Sequence, residues 1–348
     1  GDHQDLHSFP TRRSSDLLKS LGDLNGDGKI DLIAGGRADG GLVWYRNPDW
    51  AKSRIAEGSF GTDAETADID GDGDLDVVAI NEKPSALSWY ENPGWQRHVI
   101  STVRLHDIEI LRFGPSRRIL IAARNQGSFG TDGGSIHFLR QESDGAWGHT
   151  TIPVTNGEGL CSHDIDGDGD LDLVIERVWI ENTGDPFVRP WPSHLYAPKW
   201  DYLFTYAAAG RIGRNAGPAI VLAPSERAGA YYRLSVFEPP PDPRPGPWRE
   251  IVIEPKVEAV HHFAGIADFN GDGLGDIATA RMQQGADPDE VAVYLNPGSG
   301  PAWHKVVLST GGSHSMRIAD IDGDGDMDLY GANWNKTTVF EWWENLLK

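Results

Sequence analysis

The sequence holds a single cysteine, Cys161, among 348 residues. One thiol cannot build an internal disulfide framework. Export is not thereby excluded, because bound metal can take the place of disulfides as a staple. No apolar run approaches the roughly 18 residues of a membrane-spanning helix, so no membrane span is expected. Basic residues are scarce: 31 Lys and Arg stand against 52 Asp and Glu, a net charge of −21. That balance argues against nucleic acid and anionic membrane surfaces as partners. Residues 1–17 lack the layout of a signal peptide, since no apolar core follows their charges.

What the chain has in plenty is an acidic, glycine-rich nonapeptide. Asp68–Asp76 reads DIDGDGDLD and runs on into Val77-Val78-Ala79-Ile80. The pattern recurs at Asp23–Asp31 (DLNGDGKID), Asp164–Asp172 (DIDGDGDLD), Asp268–Asp276 (DFNGDGLGD) and Asp320–Asp328 (DIDGDGDMD), five copies in all. Each copy keeps the same neighbours. A short apolar segment precedes it and a buried-strand run follows, as in Leu32-Ile33-Ala34 or Leu173-Val174-Ile175. Next comes an aromatic strand closed by a turn, as in Trp89-Tyr90-Glu91-Asn92-Pro93-Gly94, where Asn-Pro and Pro-Gly are strong turn formers. A fourth segment sets alternating apolar residues after a tryptophan, as in Trp95 to Ile100. This makes four short strands per repeat, with no helical period.

Two further units, around Arg112 and Arg211, keep the layout without the acidic motif. Equivalent starts fall at 23, 68, 112, 164, 211, 268 and 320, spaced by 45, 44, 52, 47, 57 and 52 residues. Seven four-stranded units at this period predict an all-β, seven-bladed β-propeller. A linear solenoid would have shorter repeats, seldom four-stranded. Pro239–Pro247 is then a loop of the fifth blade rather than a domain linker. The last unit stops after its third strand near Trp342-Trp343, so its fourth strand is expected from just before Leu21, in what should be the weakest part of the molecule. The run from Asp5 to Leu17 (DLHSFPTRRSSDL) resembles a translated sequencing-adapter read. Residues 1–17 are therefore expected to be non-native and residues 18–348 to form a single propeller, with the export signal outside this chain.

Within each nonapeptide, oxygen ligands stand at positions 1, 3, 5 and 9, and the glycines permit a tight reversal. Positions 1, 3 and 5 on a coiling backbone, with a carbonyl from position 7, follow the logic of an EF-hand loop, although the last carboxylate comes earlier and leads into a strand. Calcium tolerates such an irregular oxygen cage better than magnesium does. The expected ligands are Asp23, Asn25, Asp27 and Asp31; Asp68, Asp70, Asp72 and Asp76; Asp164, Asp166, Asp168 and Asp172; Asp268, Asn270, Asp272 and Asp276; and Asp320, Asp322, Asp324 and Asp328. About five structural Ca2+ ions would pin the turns between first and second strands and offset much of the acidity. The units that begin at Arg112 and Arg211 should be metal-free.

These residues resemble the FG-GAP/VCBS repeat family, as in the integrin α propeller and many exported bacterial propellers, over roughly residues 21–348. The resemblance implies the propeller, calcium and an extracellular or periplasmic setting. It does not imply one function, since members include adhesive, sugar-binding and enzymatic propellers. The chain is expected to be a monomer.

In a propeller the first strand of each blade lines the channel, with the acidic loop at its far end. Its beginning therefore lies at the opposite mouth, which usually takes the ligand. The residue six before each motif start is Thr62, His106, Glu158, Thr205, His262 or His314, and adjacent positions add Asp63, Asp107, His261 and Ser315. Three before come Glu65, Glu109, Cys161 and Arg317. Three histidines with carboxylates and an arginine suggest a transition-metal or acid–base constellation, while each taken alone reads as a hydrogen-bonded strand residue. His98, His149 and His304 belong to outer strands and read as ordinary surface residues. Trp191 and Trp200 offer either sugar-stacking surfaces or blade packing.

The pattern WYENPG…W-x-x-His-x-Ile…HDIEI at Trp89–Ile110 resembles the propeller of aldos-2-ulose (anhydrofructose) dehydratases. That resemblance implies β-elimination on a sugar or acidic polysaccharide. His106, His262 and His314 would be metal ligands or base, Arg317 the anion clamp and Tyr206 a second proton carrier. Within residues 18–348 no cupin domain is expected beside the propeller. The competing reading is a non-catalytic propeller that binds carbohydrate or protein at the channel mouth, including an integrin-like adhesion module.

Overall fold

The computed structural model describes residues 4–9, 16–37, 40–114, 117–125, 133–155, 157, 159–214, 217–299, 302–332 and 340–346. These contain 28 β-strands and no helix. The strands form seven four-stranded sheets, so the chain is an all-β, seven-bladed propeller. First strands, in blade order, are Asp16–Gly22, Ser59–Ala67, Asp107–Phe113, Cys161–His163, Thr205–Arg211, His261–Ala267 and His314–Ala319. Contacts gather the strands into two compact units. One, Gly1–Ile110 with Gln141–Gly148 and His314–Lys348, carries blades 1, 2 and 7; the other, Leu111–Arg140 with His149–Ser313, carries blades 4, 5 and 6 and most of blade 3.

The second strands show why the sequence folds this way. In blades 1, 2, 4, 6 and 7 the ninth residue of the acidic motif opens the second strand: Asp31, Asp76, Asp172, Asp276 and Asp328. The run that follows is apolar without alternation because both faces are covered. Successive side chains point to opposite faces. Leu32 and Ala34 pack with Tyr330, Phe340 and Trp342 of blade 7. Ile33, between them, packs with Phe60, Val77 and Tyr90 of blade 2. In the other unit Leu173 and Ile175 join Leu120 and Ala122 of blade 3. Val174 joins Ile220 and Leu222 of blade 5.

Asparagine side chains add a second link between blades. Asn92 Nδ2 donates to Leu75 O of its own blade at 3.1 Å and to Leu24 O of blade 1 at 2.7 Å. Asn47 repeats this with Ile30 O at 3.0 Å and Ile321 O at 2.7 Å, and Asn296 with Gly275 O at 3.1 Å and Ile212 O at 2.7 Å. The Asn of Asn-Pro is thus a tether as well as a turn former.

The closing strand differs from expectation. The fourth strand of blade 7 is Gln4–Phe9, antiparallel to Phe340–Asn345 with Gln4 opposite Asn345 and Phe9 opposite Phe340. The residues just before Leu21 instead form the first strand of blade 1, with Leu21 opposite Leu32. The reason lies in the repeat: every acidic loop needs a first strand before it, and Asp16–Gly22 supplies one. Lys19, buried there, donates from Nζ to His314 O and to Ala332 O of blade 7, the latter at 3.1 Å.

Candidate functional site

The five acidic loops are built by side chains that bind their own backbone. In Asp68–Asp76, Asp68 Oδ1 accepts from Gly71 N at 2.7 Å, Asp70 Oδ1 from Asp72 N at 3.1 Å, and Asp72 Oδ1 from Asp74 N at 3.0 Å. Gly71 and Gly73 have φ of 84° and 103°, a region glycine enters without steric cost. The loops at Asp164 and Asp320 repeat this closely. Where position 3 is asparagine, the fifth residue also reaches back to the first: Asp27 N donates to Asp23 Oδ1 at 3.0 Å, and Asp272 N to Asp268 Oδ1 at 3.1 Å.

The ninth carboxylate works differently. Asp172 is buried; its Oδ2 accepts from Ile165 N at 2.9 Å and its Oδ1 from Asn182 N at 2.7 Å. The same pair of bonds recurs at Asp31, Asp76, Asp276 and Asp328. Burial pushes the carboxyls of Asp76, Asp276 and Asp328 up to about 6 and that of Asp172 up to about 7, against the lowering effect of those backbone bonds. Burial also raises Asp31.

Three sets, Asp68/Asp70/Asp76, Asp164/Asp166/Asp172 and Asp320/Asp322/Asp328, each bring three carboxylate oxygens within 4.8 Å of one another. That separation fits around one calcium, whose oxygen ligands lie at about 2.3–2.6 Å. The donor set is all oxygen, suited to a hard cation. Among the described residues these are the groups of three or more His, Cys, Asp and Glu able to share an ion, and His106, His262 and His314 belong to none of them.

The residues at the starts of the first strands are engaged with their own surroundings. In the unit of blades 1, 2 and 7, Arg317 Nη2 donates to Asp63 Oδ1 at 2.6 Å, Glu65 Oε1 at 3.2 Å and Ala64 O at 3.3 Å. Its charge is matched by carboxylates of its own chain. Burial raises the carboxyls of both partners, Glu65 to about 7, although Arg317 pulls the other way. Asp63 Oδ2 also accepts from Ile108 N at 3.0 Å. His106 Nδ1 lies 3.1 Å from Asp107 Oδ1, and His106 O accepts from Thr62 Oγ1. His314 Nδ1 lies 2.7 Å from Ser315 Oγ, and Ser315 has a φ of 51°, uncommon for a residue with a side chain.

In the other unit His262 is buried, with Nδ1 3.2 Å from Val260 O and Nε2 bonded to Glu226 Oε1. The Tyr206 ring lies 6.1 Å from the His262 ring. Its neighbour His261 has Nδ1 3.2 Å from Pro224 O, and burial, then Arg281, pushes it down to about 3. Glu158 lies outside the described residues. Glu226 escapes the sequence reading because it stands at the turn after a second strand, in a blade without the acidic motif. Its counterpart Glu176 in blade 4 is bound at 2.6 Å by buried Arg124. Both have positive φ, 61° and 38°. A glutamate ending a buried apolar run is the signal that marks them.

Trp191 and Trp200 are buried and cannot stack on a sugar. Trp191 packs 4.8 Å from Phe138, and Trp200 Nε1 donates to Thr205 Oγ1 at 2.9 Å. His98 lies on Trp89 at 4.3 Å and bonds Glu91 at 2.7 Å, while His149 Nε2 meets His137 Nδ1 at 2.9 Å. No helix among the described residues is long and apolar enough to cross a membrane.

Comparison with known proteins gives one family and a fold. The FG-GAP-like repeat matches residues 23–79 and 268–331. No curated protein matches the sequence. Among solved structures, YCF48 bound to D1 peptide is similar at 11% identity over 98% of this chain and 95% of that one, with a TM-score of 0.51. A fucose-specific lectin from Aleuria aurantia (Hg-derivative form) aligns at 15% identity over 88% of this chain and 96% of that one, with a TM-score of 0.46. The seven four-stranded sheets make the chain a seven-bladed β-propeller, within which residues 23–79 and 268–331 match the FG-GAP-like repeat.

Proposed function

We propose that the chain is a calcium-stabilised binding propeller of the extracellular or periplasmic space, taking a carbohydrate ligand at the starts of its first strands. Asp or Asn at positions 1, 3, 5 and 9 of the five loops would hold Ca2+, with the position 7 carbonyl. The ion supplies charge neutralisation and fixes the turn into the second strand. The observation that carries the binding reading is the engagement of the candidate catalytic groups. Arg317 is matched by Asp63 and Glu65, and both ring nitrogens of buried His262 have partners. A metal ligand or general base would first have to release one of those partners. Around His262 the carboxylate of Glu226 and the ring of Tyr206 suit the hydroxyls and apolar face of a sugar better than an apolar peptide.

A second reading, β-elimination, rests on one arrangement: Glu226 orients His262 beside Tyr206. One experiment separates the two. The purified chain, with calcium, is screened for glycan binding and assayed by ultraviolet absorbance for unsaturated products from acidic polysaccharides and anhydrofructose. Retention of a glycan without product is expected. Product that disappears in His262→Ala would establish the lyase instead, and retention of a protein but no glycan would overturn the ligand class.

A further inference from the structure

We infer that Arg244 is a built-in competitor for the cation of the blade 4 loop, making it the weakest of the five calcium sites. The inference rests on the calcium reading above. Arg244 stands in the proline-rich loop between the third and fourth strands of blade 5, yet it serves blade 4. Its Nη2 donates to Asp166 Oδ2 at 2.5 Å and to Glu181 Oε1 at 2.8 Å, and its Nε to Glu181 Oε1 at 3.2 Å. Asp166 is the third-position ligand of Asp164–Asp172. Its Oδ1 already accepts from Asp168 N at 3.2 Å, so both oxygens are engaged.

The equivalent loops differ at this atom. Asp70 and Asp322 use Oδ1 in the same way, each at 3.1 Å, but no arginine among the described residues bonds their Oδ2. Blades 1 and 6 carry Asn25 and Asn270 there, and a neutral amide recruits no guanidinium. Arg214, which reaches the blade 6 loop, donates to the carbonyl of Asp272 and leaves the carboxylates alone. Among the described residues the blade 4 loop alone therefore holds a cationic group on a ligand oxygen.

The loop that delivers Arg244 is fixed to blade 4. Trp248 N donates to Tyr196 O at 2.9 Å, and Trp248 Nε1 to Pro243 O at 2.8 Å. A Cβ on Gly246 would come within 2.1 Å of Leu195 O, so the backbones touch there. Prolines at 239, 240, 241, 243, 245 and 247 restrict the backbone further. Arg244 is thus aimed at Asp166 by a pre-set segment. Its side chain is 44% exposed. Asp166 is only 2% exposed, but the arginine end of the pair is open to solvent and screened, so a divalent cation displaces it and affinity falls by about tenfold rather than vanishing.

The test counts calcium bound to the full chain across a series of free calcium concentrations, with magnesium as background. The wild-type chain should fill about four sites together and the last at about tenfold higher calcium. In Arg244→Met the last ion should join the others, and Asp164→Ala should remove that late ion alone from the wild-type curve. Circular dichroism checks that each variant is folded. Five equivalent ions in the wild type, or an Arg244→Met curve that superposes on it, would overturn the inference while leaving the calcium reading intact. No bound calcium at all would overturn both.

Discussion

Chelating calcium should lower the melting temperature of the chain by tens of degrees, and the loss should grow as pH rises from about 4.5 to about 7.5. The size follows from mass action. A ligand at 100 times its Kd stabilises by about 2.7 kcal/mol per site. Several sites acting on one cooperative fold therefore give a shift well beyond that of a typical point mutation. The pH dependence follows from the ninth-position carboxylates. In the calcium-free chain burial raises Asp76, Asp276 and Asp328 to about 6 and Asp172 to about 7, from 3.8. The folded state then holds protons that the unfolded chain has released. Their contribution to stability is present at low pH and falls as pH rises through this window. With calcium bound the same groups are ionised, and protons compete with the ion, so calcium stabilises more at higher pH. His137 and His261, pushed down by burial to about 4 and about 3, tilt the curves in the opposite sense. They stand outside the loops and act on both forms alike, so the difference between melts in calcium and in chelator is the quantity to read. Equal melting temperatures in the two buffers, or a difference that shrinks as pH rises, would contradict this account.

Asp172→Ala should destabilise the chain by about 2–6 kcal/mol even in chelator, because it leaves two buried backbone N–H groups without an acceptor at about 1–3 kcal/mol each. Those groups are Ile165 N and Asn182 N, at 2.9 and 2.7 Å from the carboxylate. Asp172→Asn keeps one acceptor oxygen and should cost about half as much. Asp68→Ala is the contrast. Asp68 lies at the more open end of its loop and accepts from Gly71 N at 2.7 Å. Its loss should matter little in chelator and clearly in calcium. Urea unfolding in both buffers checks the pair. A fully stable Asp172→Ala in chelator would mean that the ninth carboxylate serves the ion alone.

Much of the architecture was legible in the sequence because the repeat is short-range. Each acidic motif, apolar run and aromatic turn stands within one blade, and the seven units follow from their spacing. What lay across blades was not legible. Asn92 reads as a turn former, and its bond to Leu24 O comes from a loop 68 residues away. The closing strand was misplaced because Asp16–Gly22 had to serve blade 1, leaving Gln4–Phe9 for blade 7. The candidate site was legible only as positions. The fixed offset before each motif located His106, His262, His314 and Arg317 at strand starts, but offsets are silent about partners. Asp63, Glu65 and Glu226 decide what those residues can do, and Glu226 lies on a turn outside the repeat rule. Trp191 and Trp200 were ambiguous for a similar reason: a tryptophan in a loop-rich stretch looks the same in sequence whether it faces solvent or the gap between blades.

Calcium held by the acidic loops would fasten each first strand to its second, as proposed above. This role is tested most directly by metal analysis of the purified chain after equilibration with saturating calcium in excess magnesium. About five calcium ions per chain, falling by one in Asp68→Ala, is the predicted result. A chain that remains folded with no bound calcium, or that takes magnesium equally well, would contradict it.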